Sequence, residues 1–198
     1  GAVRDVIQNH MLEVVSCLAM EPPGCNVPDG LRDEKAKAKY AMRPLDPAAV
    51  VRGQFRGYRK EPGVAPDSQV ETFAAVRLFL DSWRWEGVPF CIRAGKCLPT
   101  TCTEVVVEFH RPPQNLFGQH EIVHTGNYVR FRLSPEVVTA VGARAKKPGD
   151  SLEGEDVELV LSRSAAGDIE PYARLLTHAL AGDGSLFARQ DGVEAAWA

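Results

Sequence analysis

An imidazole and a carboxylate stand five residues apart near the start of the sequence, in Arg4-Asp5-Val6-Ile7-Gln8-Asn9-His10. An imidazole exchanges a proton near neutral pH, so His10 is a candidate general base. Its spacing from Ile7 and Val14 also puts it on the apolar stripe of a helix. There, a core histidine with satisfied ring nitrogens is the plainer reading. On an ideal α-helix five residues turn through roughly 140°, so Asp5 and His10 would border one wide ligand without touching. Asp5 by itself reads equally as a favourable anion in a first helical turn. A third candidate, Lys96, follows Gly95, and taken alone it is a solvated turn residue.

Other chemistries find no footing. No GxGxxG or GxxxxGK[ST] loop opens a helix, and no GxSxG elbow or Ser/His/Asp order is visible. The five cysteines (Cys17, Cys25, Cys91, Cys97, Cys102) contain no CxxC pair. The five histidines (His10, His110, His120, His124, His178) have no zinc-like spacing, so no metal site is expected. Reduced, mostly buried thiols are the expectation. Hydrophobic residues make up 44% and charged residues 25%, with a net charge of −3, as in an ordinary globular protein. No basic block points to nucleic acid, and no apolar run approaches membrane-span length.

Residues 3–19 carry apolar positions three or four apart and predict a helix, stopped by Glu21-Pro22-Pro23-Gly24. A charge-rich helix follows over Leu31–Met42, with Asp29 as its candidate N-cap. The period then changes. Val50–Phe55 reads as a strand, residues 56–69 as an irregular loop, and Thr72–Leu80 as helix or strand alike. Strands are predicted at Phe90–Arg93, Thr103–Phe109, Tyr128–Leu133, Val137–Arg144 and Val157–Leu161. In the third of these, Tyr128, Arg130 and Arg132 alternate with Val129, Phe131 and Leu133, predicting one wet face and one buried face. A helix at Pro171–Ala181 and a short one after Asp191 close the chain. Short connections favour antiparallel pairing, so the expected class is α+β: one large, mainly antiparallel sheet with helices on one face. The uncovered face predicts self-association.

Several strings together resemble one family. Arg4–His10, running on to Ala19-Met20-Glu21-Pro22-Pro23, resembles the RDxxQNHxxQ…AMExP helix of glucose-6-phosphate dehydrogenases. Leu31–Lys37 is similar to their RDEKxK element, Gly53–Tyr58 to their GQYxGY loop, and Glu71–Ala75 to their TFAA segment. Arg84–Lys96 matches RWxGVPFxxRxGK, and Lys146-Lys147-Pro148-Gly149 their KKPG turn. Tyr172–Leu176 and Glu194–Trp197 are similar to the last helices. These blocks keep the family's order across residues 1–198.

The resemblance implies a C-terminal substrate-binding and dimerisation domain, truncated at both ends and lacking the N-terminal NADP-binding domain. It makes Thr72–Leu80 a strand. It implies oxidation of glucose 6-phosphate at C1 with hydride transfer to NADP, the first step of the pentose phosphate pathway. His10 would be the base, and Asp5 and Lys96 substrate-binding groups. Arg93 and Arg132 match two basic positions that hold a second, structural NADP in some relatives, whereas Cys102 and Val106 replace two others. The plain reading of both arginines is solvated or interface residues on strands. Thr101 stands where many relatives carry another basic substrate-binding residue. The chain alone is expected to be inactive, cytoplasmic, and a homodimer or homotetramer through its sheet. The alternatives are a non-catalytic dimerisation module and a hexose-6-phosphate dehydrogenase of the endoplasmic reticulum.

Overall fold

The computed structural model of the chain describes residues 1–25, 27–114, 126–163 and 170–197. His120 and His124 lie outside the described residues. The chain divides into two compact units, Gly1–Leu98 with Glu170–Ala198, and Pro99–Ile169.

The first unit opens with one continuous helix of two kinds. Ala2–Met11 is a π-helix, and Leu12–Ala19 continues it as an α-helix, α1. The α-turns end at Met20, whose extended backbone leads into Glu21-Pro22-Pro23 as the prolines require. The Trp85 indole N–H donates to the freed Ala19 carbonyl at 3.1 Å. Helix α2 spans Pro28–Tyr40, with Val27 rather than Asp29 at its N-cap. Asp29 sits in the first turn instead, where a carboxylate favours the helix dipole.

Strands β1 (Val50–Gly53), β2 (Phe73–Leu78) and β3 (Phe90–Gly95) form an antiparallel sheet in that order. The β2 alternation turns Ala74, Val76 and Leu78 inward, all essentially buried. Ala2 and Ile7 of the π-helix pack on Ala74, Val76 and Ala94. Leu12, Val15 and Ala19 of α1 pack on Ala38, Leu78 and Leu80. Helices α3 (Pro171–Leu180) and α4 (Gln190–Ala195) complete this unit.

The second unit is a four-stranded antiparallel meander: β4 (Thr103–Glu108), β5 (Tyr128–Ser134), β6 (Val137–Lys146) and β7 (Gly154–Arg163). The class is therefore α+β with antiparallel pairing, and hydrogen bonding divides the strands into two sheets. Register puts Glu104, Arg132, Val106, Arg130, Ala140, Tyr128 and Glu158 on one face. There Arg130 pairs with Glu158 at 2.7 Å and Glu104 at 3.3 Å, and Tyr128 donates to Glu158 at 2.9 Å. This charged ladder lies beside Ala140, which is wholly buried. The opposite face carries Val105, Val129, Phe131, Val141, Leu159 and Leu161. Leu133 and Val141 are exposed there, and Leu159 and Leu161 are 68% and 65% exposed, so the expected buried face stands open.

The thiols also depart from expectation. All five cysteines are free and exposed. Cys91 shows why: the β3 alternation that buries Ala94 turns Cys91 and Arg93 to the other side of the sheet.

Candidate functional site

The π-helix decides how the candidate residues are presented. Its hydrogen bonds run from i to i+5, as in the Leu12 N–H donating to the Ile7 carbonyl. Residues five apart therefore stand one turn above the other, and Asp5 and His10 are such a pair. The α-helical phase of roughly 140° does not apply; both project from the same side. The wider turn also separates His10 from the apolar stripe. Ile7 is 2% exposed against the sheet, whereas His10 and Asp5 are exposed. The core-histidine reading is overturned by this change of period. Asn9 Nδ2 lies 3.5 Å from His10 Nε2, leaving the imidazole open to a ligand. The Asp5 carboxylate lies 2.7 Å from the backbone nitrogen of Gly1.

Two carboxylates outside the predicted set pin this helix. At its start, Glu71 accepts from the Val3 N–H through Oε1 and from the Ala2 N–H through its backbone carbonyl, both at 3.0 Å. Partial burial raises the Glu71 carboxyl, but the Val3 N–H and its own N–H outweigh that and lower it. Beyond the π-turns, Glu13 is gripped by two lysines of α2: Lys35 at 2.7 Å on one oxygen and Lys39 on the other. Burial pushes Glu13 up, and the hydrogen bonds and charges of Lys35 and Lys39 more than reverse it. Lys39 is only 5% exposed, and a buried ammonium requires such a partner. Lys39 lies three residues after Ala36, on the side of α2 that the small residues mark as buried.

Lys96 is placed by Thr72. The Lys96 N–H donates to the Thr72 carbonyl at 2.9 Å, extending the β2–β3 ladder one step beyond Gly95. Thr72 is buried; its hydroxyl accepts from the Phe55 N–H at 2.8 Å and its N–H donates to the Gly53 carbonyl. Alternation from Ala94 puts Lys96 on the sheet face that the π-helix covers. The Ala2 N–H donates to the carbonyl of Glu71, next to Thr72, which puts the Lys96 step of the ladder toward the Asp5 end of the helix.

Arg93 and Arg132 belong to different units. Arg93 is exposed on the sheet face turned away from the π-helix. Arg132 pairs with Glu104 at 3.1 Å, within the charged ladder. Two hollows of about 350 and 360 Å³ lie elsewhere, one over the Tyr128–Arg130–Glu158 ladder and one beside Asp81, Trp83 and Glu86. His10, Asp5 and Lys96 line neither, and all three are exposed. Among the described residues, no group of three or more His, Cys, Asp or Glu is arranged to hold a metal ion. No helix among them is long and apolar enough to cross a membrane.

This helix-on-sheet unit has solved counterparts. Glucose-6-phosphate 1-dehydrogenase from Mycobacterium avium superposes with a TM-score of 0.89 at 44% identity, over 100% of this chain and 42% of that one. A glucose-6-phosphate dehydrogenase in complex with its substrate glucose-6-phosphate superposes with a TM-score of 0.85 at 33% identity, again over 42% of its length. The model of the glucose-6-phosphate dehydrogenase C-terminal domain matches residues 1–198, and the chain belongs to that family. Glucose-6-phosphate 1-dehydrogenase 1 of Mycobacterium tuberculosis is 41% identical over 197 residues, 100% of this chain and 42% of the relative. The cytoplasmic isoform of Solanum tuberosum is 37% identical over 100% of this chain and 39% of its own length. The chain thus spans about two fifths of the relatives it matches.

Proposed function

We propose that this chain is the sugar-phosphate side of an NADP-dependent dehydrogenase that oxidises glucose 6-phosphate at C1 to the lactone. The observation that carries the reading is the π-helix on which Asp5 and His10, five residues apart, are both exposed. Asp5, an exposed carboxylate, accepts hydrogen bonds from sugar hydroxyls and fixes the ring. Lys96, at the Asp5 end, supplies positive charge for the anionic part of the substrate. His10, one turn further, takes the proton of the C1 hydroxyl. As that proton leaves, the oxygen's electrons form the carbonyl and the C1 hydrogen departs as hydride.

NADP supplies the hydride acceptor when bound. The residues of this chain do not fit it as a dinucleotide cradle, because no glycine-rich turn opens a helix here. We assign that role to polypeptide in the remaining three fifths of the relatives' length. Of the structural-NADP candidates, Arg132 is engaged with Glu104, which favours a structural role for it. The open apolar face of the four-stranded sheet supports self-association, as a homodimer or a homotetramer. The kinship with a cytoplasmic isoform supports a cytoplasmic enzyme.

The test is steady-state kinetics of the intact protein carrying His10→Asn. The reading requires kcat to fall by roughly 10²- to 10⁴-fold with KM for glucose 6-phosphate nearly unchanged. An undiminished kcat would remove His10 from the chemistry.

A further inference from the structure

The helix from Ala2 to Ala19 changes hydrogen-bond pattern between Met11 and Leu12, one residue after His10. Nothing in the backbone alone fixes that point. π-turns are rare and short because α-turns are the better-packed alternative, so a ten-residue π-stretch needs external restraint. The junction could move along the helix, and each step would rotate the side chains before it. Relaxation to α-turns would carry Asp5 and His10 from one side to roughly 140° apart.

The restraints are the two pins. Glu71 holds Ala2 and Val3, and Lys35 and Lys39 hold Glu13 by both carboxylate oxygens. Residue 13 is fixed a second time, because the Ser16 hydroxyl, wholly buried, donates to the Glu13 carbonyl at 2.9 Å. Lys39 cannot move freely to accommodate a shift. It is buried between α1 and α2, and a Cβ on buried Gly192 of α4 would stand 3.5 Å from its Nζ. Three helices thus converge on one ammonium whose charge partner is the first turn of α1.

We propose that Glu13 is a positioning residue for the reaction assigned to His10. Held by Lys39 and Lys35, it fixes where π-turns give way to α-turns and so keeps His10 stacked on Asp5. This rests on the dehydrogenase reading above. Glu13 itself touches no substrate; it acts through the phase of the helix.

The test compares three variants of the intact protein with the parent: Glu13→Gln, Glu13→Gln/Lys39→Met and His10→Asn. Each is measured for kcat, KM for glucose 6-phosphate and melting temperature. Glu13→Gln should lower kcat about 10- to 100-fold, the size of effect an ångström-scale misplacement produces, with KM little changed. It should also lower the melting temperature, because the Lys39 ammonium loses its counter-ion. The double variant removes that buried charge and should regain stability while kcat stays low. It decides the question even where the single variant folds poorly. Parent-like kcat in Glu13→Gln, or kcat recovering with melting temperature in the double variant, overturns the proposal. His10→Asn separates the two levels. If its rate collapses and that of Glu13→Gln does not, only the positioning role fails. If its rate is unchanged, the dehydrogenase reading fails and the positioning role with it.

Discussion

Replacing Ile7 by alanine tests what seats the π-helix on its sheet. Ile7 is 2% exposed and packs on Ala74, Val76 and Ala94. The substitution removes three carbons, which at about 0.8 kcal/mol per buried methylene is about 2.4 kcal/mol. A cavity cost adds to this, since two of the three sheet neighbours are alanines without the reach to fill the gap. The expected loss is about 3–4 kcal/mol, against about 1 kcal/mol for Ile7→Val, which removes one carbon. Hydrogen exchange of the peptide spanning the π-helix, followed by mass spectrometry in the intact protein, reads the local opening directly. Since 1.4 kcal/mol is tenfold, Ile7→Ala should exchange more than about 100-fold faster than the parent, and Ile7→Val about fivefold faster. Equal exchange in the two variants would show that burial of this side chain does not hold the helix down.

Two further outcomes follow from the geometry. A Cβ on Gly142 would stand 2.1 Å from the Tyr128 ring, so Gly142→Ala must displace the ring that donates to Glu158. It should destabilise the four-stranded sheet by roughly 1–3 kcal/mol in urea unfolding, and much less in a Tyr128→Ser background; equal losses in both would contradict the packing. The Glu13 carboxyl is lowered in the folded chain from its ordinary value of 4.5, so its contribution is complete above pH 4.5 and is lost as pH falls through the folded value. The stability gap between parent and Glu13→Gln should narrow on acidification below pH 4.5, and a gap independent of pH would contradict the ion pairing.

Much of the fold was legible in the residues themselves. Six of the seven strands among the described residues follow from alternation and turn residues, and the prolines at 22 and 23 mark the end of the first helix. Thr72–Leu80 was not settled by period, because β2 is buried along Ala74, Val76 and Leu78 and lacks a polar face of its own. The kind of the first helix was not legible either. A stripe at three and four residues fits an α-helix, and the π-pattern comes from restraints 68 residues away in sequence at Glu71 and closer by in α2. That change of period is why His10, read as a stripe position, emerges exposed. The ion pair of Glu13 with Lys39 was hidden because a lysine in a charge-rich helix reads as solvated; only the tertiary meeting of α1, α2 and α4 buries it. The open face of the second sheet, by contrast, was misread at Leu133: alternation tells which residues share a face, not what covers it.

The stacked pair on the π-turn is best tested by the structure of the intact protein with glucose 6-phosphate bound. An imidazole nitrogen of His10 should lie within about 3 Å of the C1 hydroxyl oxygen, with the Asp5 carboxylate on another hydroxyl of the same ring. A sugar seated beyond hydrogen-bond reach of either side chain would contradict the assignment.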